Sequence, residues 1–212
     1  MPTRKTPPAP PPAAATRALD RRSQRSRDLL LEALFTLMIE RGYERLTTQN
    51  LIDRAGVGRA TFYAHFDSKE DLLVASVGRL RAWLEHERDA RPGERLGFML
   101  PFCRHLSSHR AMYRTTFERD SEVTVERLVR SMLRELVHAD LETHRSRGQS
   151  AAALDLATQF VVATLWSVIT WWMERGAKSS PEEVHAVFQR LALPGLDLTL
   201  ASGSTAGLQR FA

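Results

Sequence analysis

Only one cysteine, Cys103, stands among the 212 residues, so no disulfide can form within the chain and a bridge-stapled fold is excluded. The glycines form no phosphate-cradling run, and no stretch alternates apolar and polar residues long enough to read as a strand. Between Met1 and Ala15 there is Pro and Ala with Arg4 and Lys5, not the apolar core of a signal peptide, and a reduced cytoplasm is the expected compartment. Catalytic groupings are missing as well. His65 has no Ser, Cys or carboxylate at a spacing that makes a triad, and the pairs His105/His109 and His138/His144 lack the Glu-x-x-His context of a metal site. Neither an enzyme, nor a metal, nor a cofactor is expected.

What is present is charge at one end and helical signals throughout. The net charge is +5, yet residues 1–27 hold Arg4, Lys5, Arg17, Arg21, Arg22, Arg25 and Arg27 against Asp20 alone, which leaves the rest close to neutral. A basic, Pro- and Ala-rich stretch over residues 1–24 has too little apolar surface to pack and is expected to be a disordered arm.

The most informative stretch is Thr47 to Leu73, TTQNLIDRAGVGRATFYAHFDSKEDLL. Thr47 is a good N-cap for a helix from Thr48 to Arg54, whose apolar side is Leu51, Ile52 and Ala55. Gly56 stands where a helix end needs a left-handed residue, and Val57 can plug the crossing of two helices. A second helix opens at Arg59. It places Phe62 and Phe66 on one inward face, with Ala60, Thr61, Tyr63 and Ala64 on the others. Asp67 or Ser68 can cap a third helix, and Glu70 and Asp71 favour its first turn. Two short helices about a tight turn make a helix-turn-helix, and its natural partner is double-stranded DNA.

Ala55, Gly56, Val57, Thr61, Tyr63, His65, Phe66, Lys69 and Leu72 together resemble the helix-turn-helix signature of the TetR family of bacterial transcriptional repressors. Gly58 departs from the serine usual there and gives up a side-chain cap, and Ile52 departs from a small alanine. The resemblance implies a DNA-associated homodimer in a bacterial cytoplasm, bound to an operator with an inverted repeat. It puts Thr48, Tyr63, His65 and Lys69 on phosphates, with Thr47 beside them, and Gln49, Arg59, Ala60 and Thr61 on base edges. Arg22 and Arg25 are expected to add phosphate or minor-groove contacts, since counterion release rewards cations held beside a docked helix.

The whole chain reads as all-α: a three-helix head over residues 25–73, a helical regulatory and dimerisation body over 74–193, and a loose tail over 194–212, with about nine helices. The first helix is expected from Ser26 to Arg41, stopping at Gly42, with Leu30, Ala33, Leu34, Leu37 and Met38 inward. The helix that starts near Lys69 should continue to Ala90. Further helices are expected over Glu94 to Ser107, kinked by Pro101, then near His109 to Arg119, Glu122 to Arg147, Ala151 to Glu174 and Pro181 to Leu191. The run Phe160 to Met173 is strongly apolar, but fourteen residues are too short to span a membrane, so none is expected. Such a helix is most simply buried by dimerisation, with Phe160, Leu165, Trp166, Val168, Ile169, Trp172, Val184, Val187, Phe188 and Leu191 as interface candidates. The resemblance also implies a small hydrophobic or aromatic inducer. Phe98, Met99, Phe102, Cys103, Met112, Tyr113, Phe117, Trp166, Thr170 and Trp171 are the candidates to line its pocket. The alternative is a DNA-binding regulator without a ligand, in which these residues are plain core.

Overall fold

The computed structural model describes residues 13–113, 123–145 and 150–201, and Phe117 lies outside them. Regular structure among the described residues is helical: α1 (Ala13–Arg41), a 3₁₀ turn (Tyr43–Arg45), α2 (Thr48–Ala55), α3 (Arg59–Tyr63), α4 (Lys69–Asp89), α5 (Met99–Ser108), α6 (Val123–Thr143), α7 (Ala151–Glu174) and α8 (Pro181–Ala201).

Helix α1 begins well before Ser26. Ala13, Ala14, Ala15 and Ala18 are the strongest helix formers, and no Gly or Pro follows them until Gly42. The Ser26 hydroxyl donates back to the Arg22 carbonyl at 3.1 Å, as a mid-helix serine does, rather than capping a start. The basic residues from Arg17 onward are therefore on a helix, and only residues 1–12 of the expected arm remain outside the description. Gly42 ends α1 as expected, with a positive φ of 75° and its N–H on the Met38 carbonyl.

In the head, α1 packs on α2 through Leu30, Leu34, Leu37 and Leu51, all buried with Phe62 and Leu72. Helix α4 starts in this cluster with Leu72 and Leu73 and ends in the body with Leu84, packing on α1 at one end and α6 at the other. In the body α7 packs between α6 and α8, with α5 against α8.

Pro101 does not kink a helix. The chain between Asp89 and Met99 turns irregularly, α5 starts only at Met99, and Pro101 falls in its first turn, where its missing N–H has no helical partner to lose. Pro194 departs from expectation in the other sense: α8 continues through it to Ala201, with Ala192 and Leu196 still buried on its inner side.

Helix α7 is 24 residues long, and by length and composition it is long and apolar enough to cross a membrane. The fourteen-residue argument against a span thus fails for the helix as formed. Its setting is that of a core helix: Val161, Leu165, Ile169 and Trp172 are buried between α6 and α8.

Candidate nucleic-acid interface

The head is built to hold one short helix rigidly at its surface. Thr47 and Asn50 form a reciprocal cap at the start of α2: the Thr47 hydroxyl accepts from Asn50 N–H at 3.2 Å, and the Asn50 side chain accepts from Thr47 N–H at 3.1 Å. Gly56 closes α2 at φ 62°, ψ 32°, a left-handed conformation costly for other residues. The chain reverses through Val57 and Gly58, and Gly58 caps α3 without any side-chain bond, as its identity dictates. Ser68, rather than Asp67, caps α4, accepting from Asp71 N–H at 3.1 Å.

Helix α3 is anchored by the ring of Phe62 and, in the turn just past its end, by that of Phe66. Phe62 and Phe66 are buried with centroids 6.1 Å apart, and the Arg27 guanidinium lies 5.2 Å over the Phe66 ring, tying α1 to the end of the recognition unit. With that face spent, Arg59, Ala60 and Tyr63 are left exposed and Thr61 half-buried. Arg59 packs its guanidinium 5.7 Å over Tyr63, so the cation expected on a base edge is partly ordered before any DNA arrives. On α2, Gln49 points outward and its amide donates to Asp53 at 2.7 Å, while Thr48 is half-buried beside it. His65 is half-buried at the far end of the recognition helix. Arg22 and Arg25 are exposed on α1.

Lys69, expected on a phosphate, is also engaged inside the head. Its ammonium lies 4.6 Å over the Tyr43 ring, 3.5 Å from the Tyr43 carbonyl and 3.9 Å from Glu70, so much of its charge is engaged within the head. A fork-to-fork ion pair between Arg54 and Glu40, at 2.8 and 2.6 Å, locks the end of α2 to α1. Sequence spacing missed it because the partners are far apart in the chain and obey no local rule.

In the body, Phe98, Met99, Phe102, Cys103, Met112 and Tyr113 are all buried side chains of the continuous core. Burial pushes the Cys103 thiol up to about 12, so it is not a reactive nucleophile. Trp166 is also buried, under the Arg130 guanidinium at 4.4 Å, and Thr170 is half-buried, its hydroxyl without a hydrogen-bond partner among the described residues. Trp171 faces outward, 46% exposed. None of these lines the cavity of about 590 Å³ that opens between α1, α4 and α5. The interface candidates divide too. Leu165, Trp166, Val168, Ile169, Trp172, Val184 and Phe188 are already buried within this one chain, because α6 and α8 cover most of α7. Phe160 and Leu191 remain 43% and 57% exposed, Val187 is half-buried, and Leu156 and Trp171 join them on the outer surface.

Two family models match this architecture piece by piece. One, described as bacterial regulatory proteins of the tetR family, covers residues 30–76, and the other, a transcriptional regulator C-terminal region, covers residues 94–193. The chain belongs to the TetR family of bacterial regulatory proteins. It is a DNA-binding transcriptional regulator. Among TetR-family relatives, the HTH-type transcriptional repressor KstR2 of Rhodococcus jostii is 27% identical over 202 residues, covering 88% of this chain and 97% of that one. KstR of Mycobacterium tuberculosis is 33% identical over 111 residues, 46% of this chain and only half of that protein. A TetR regulator from Streptococcus agalactiae superposes with a TM-score of 0.64 at 23% identity, over 84% of this chain and 98% of that one. SmeT in complex with triclosan superposes with a TM-score of 0.53 at 21% identity, over 84% and 90%.

Proposed function

We propose that this regulator is a repressor that binds an inverted-repeat operator as a homodimer in the cytoplasm and leaves it when a small hydrophobic molecule binds. The observation that carries the DNA half is α3: its aromatic face is consumed by the head core, so Arg59, Ala60, Thr61 and Tyr63 can be presented to a major groove on a support that does not yield. Gln49 and Thr48 flank them on α2, His65 and the residual field of Lys69 face the phosphates, and Arg22 and Arg25 extend the positive surface along α1. Repression is the activity named in the KstR and KstR2 relatives.

The dimer is supported by the outer face of the α7–α8 pair. Leu156, Phe160 and Trp171 on α7 and Leu191 on α8 leave apolar surface in water that a second copy would cover by two-fold packing. The ligand half is supported by SmeT, whose fold holds triclosan, and by the presence of a cavity at the junction of head and body. No chemistry of a catalyst belongs to this reading.

Selection of DNA fragments by the purified protein, followed by sequencing, tests it. Enrichment of a motif with two inverted half-sites about one helical turn apart, ~34 Å or a multiple, is the expected result. Recovery of random fragments, or of a single unrepeated half-site, overturns it.

A further inference from the structure

The cavity between head and body has chemistry of its own. Helix α1 contributes one face through Asp28, Glu32, Phe35 and Ile39, residues three to four apart and therefore stacked on one side. Helix α4 contributes Ser76, Arg79, Leu80 and Trp83 along one side, and the end of α5 contributes His105 and His109. The cleft has a volume of about 590 Å³, which suits a drug-sized molecule, and it is open to solvent past the exposed side chains of Glu32, Ile39, Trp83 and His109.

Its rings form a continuous wall. Phe35 lies 5.9 Å from His109, His109 lies 4.3 Å from His105, and His105 lies 5.7 Å from Trp83. Burial lowers the His105 pKa to about 4, so that ring is neutral at physiological pH and adds no positive charge. His105 Nε2 is held by the Tyr113 hydroxyl at 3.2 Å. The ring of His109 is fixed by its Nδ1–H, which donates to the His105 carbonyl at 2.9 Å.

The charges are unequal. Asp28 and Arg79 satisfy one another at 2.9 Å, with Gln24 also donating to Asp28. That leaves the Glu32 carboxylate as the uncompensated charge of the lining, and among the described residues no side chain pairs with it. An organic anion entering here would meet two carboxylates and a guanidinium already committed to one of them. A neutral molecule would use the apolar wall but leave the charge of the solvent-exposed Glu32 unused. A hydrophobic cation satisfies both features, since an aromatic face and a carboxylate each attract positive charge.

We propose that this cavity binds hydrophobic organic cations, held between Glu32 and the ring wall of Phe35 and Trp83, and that its occupancy lowers operator affinity. The coupling rests on the reading of this chain as an operator-binding regulator, whereas the binding site does not. Helix α1 packs in the head, α5 belongs to the body and α4 runs through both, so a guest touching all three favours one arrangement of head against body. The shift it produces is limited to its difference in affinity between the two arrangements.

Tetraphenylphosphonium and tetraphenylborate, near-identical in shape and opposite in charge, are the probes. Calorimetry on the full chain at pH 8 should show tetraphenylphosphonium binding at least about tenfold more tightly than tetraphenylborate. Glu32→Gln and Trp83→Ala should each weaken the cation about tenfold, with circular dichroism confirming an intact fold. Equal affinity for the two ions, no binding of the cation, or full cation affinity in Glu32→Gln overturns the site. A separate titration of the selected operator, with and without the cation, reads the coupling: weaker DNA binding in the wild type and no change in Glu32→Gln is expected, and unchanged DNA binding at saturating cation overturns it. Failure of the ligand-free protein to prefer any DNA sequence would instead refute the reading as an operator-binding repressor and leave the calorimetric result standing.

Discussion

The carboxylate of Asp140 accepts a 3.0 Å hydrogen bond from the backbone N–H of Leu96, and both residues are buried. Leu96 is held at a φ of 56°, a left-handed conformation that a bulky side chain rarely takes, in the irregular link between α4 and α5. Asp140 lies on α6, so one side chain ties that link to the body. Burial raises the Asp140 pKa, against the opposing effect of the Leu96 N–H bond and of the nearby His144, Arg88 and Arg95. Asp140→Ala leaves the Leu96 N–H without an acceptor and should cost ~1–3 kcal/mol in denaturant unfolding. Asp140→Asn, which keeps an acceptor oxygen, should cost less than half of that. Equal losses in the two variants would show that the bond is not what Asp140 contributes.

Arg59→Ala should lose ~1–3 kcal/mol on the selected operator and much less on scrambled DNA of the same length. Lys69→Ala should weaken both DNAs alike and also lower the melting temperature, because its ammonium is lodged on Tyr43. Fluorescence anisotropy at fixed salt separates the two cases. An equal loss on both DNAs for Arg59→Ala would remove it from the base-reading set.

Gly58→Ser should stabilise the head. A Cβ built there meets nothing closer than the Thr61 hydroxyl at 3.7 Å, the backbone is already extended at φ −73°, ψ 152°, and the added hydroxyl can accept an orphan N–H of α3. The gain expected from a serine over a glycine at such a cap is a few tenths of a kcal/mol, roughly 0.3. Thermal melts of the two proteins side by side measure it, and a fall in melting temperature would contradict the capping geometry.

Phe160→Glu and Leu191→Glu should yield folded monomers by light scattering with operator affinity reduced at least about tenfold, since each puts a charge on the apolar surface assigned to the second copy. Trp172→Glu, by contrast, places a charge where the indole is buried and its N–H donates to the Ser179 carbonyl at 3.0 Å, so the chain should unfold. Dimers of undiminished stability in both surface variants would move the interface elsewhere.

Acid should destabilise the body through His105. Its folded pKa of about 4 is below the ordinary value of 6.5, so the unfolded chain takes up the proton first. The stability this neutral ring contributes is complete above about pH 6.5 and is lost as pH falls towards 4. His185, also lowered chiefly by burial, acts in the same sense. His105→Gln should therefore flatten the fall in melting temperature between pH 6.5 and 4 without abolishing it. An identical slope in mutant and wild type would show that His105 titrates normally.

The head was legible because its signals are local. Thr47, Gly56 and the four-residue spacing of Phe62 and Phe66 each act within one turn of chain, and each takes the expected place. Expectations failed where distant chain decides. A proline is a kink only if helix precedes it: Pro101 was read inside a helix that in fact starts two residues earlier, and Pro194 sits in α8 with burial still continuing beyond it. The run from Phe160 to Met173 is apolar enough to be expected buried on all sides, yet Phe160, Ala163, Ser167 and Trp171 stay exposed in this chain, and which residues keep a free face depends on where α6 and α8 lie across it. The cavity wall escaped notice for the same reason, since Glu32, Trp83 and His109 share no local pattern.

Helix α4 has an unbroken hydrogen-bonded backbone from Lys69 to Asp89. At ~1.5 Å per residue it is a rod of roughly 30 Å with one end beside the recognition helix and the other packed on α6 of the body. Rotation of such a rod by about 10° carries its far end ~5 Å, more than the ~3.4 Å rise of one base pair along a DNA strand. Leverage of this kind would convert adjustments smaller than a side chain at one end into a base-pair misfit at the other, and two such rods in a symmetric pair would spread or close the reading heads by twice that distance.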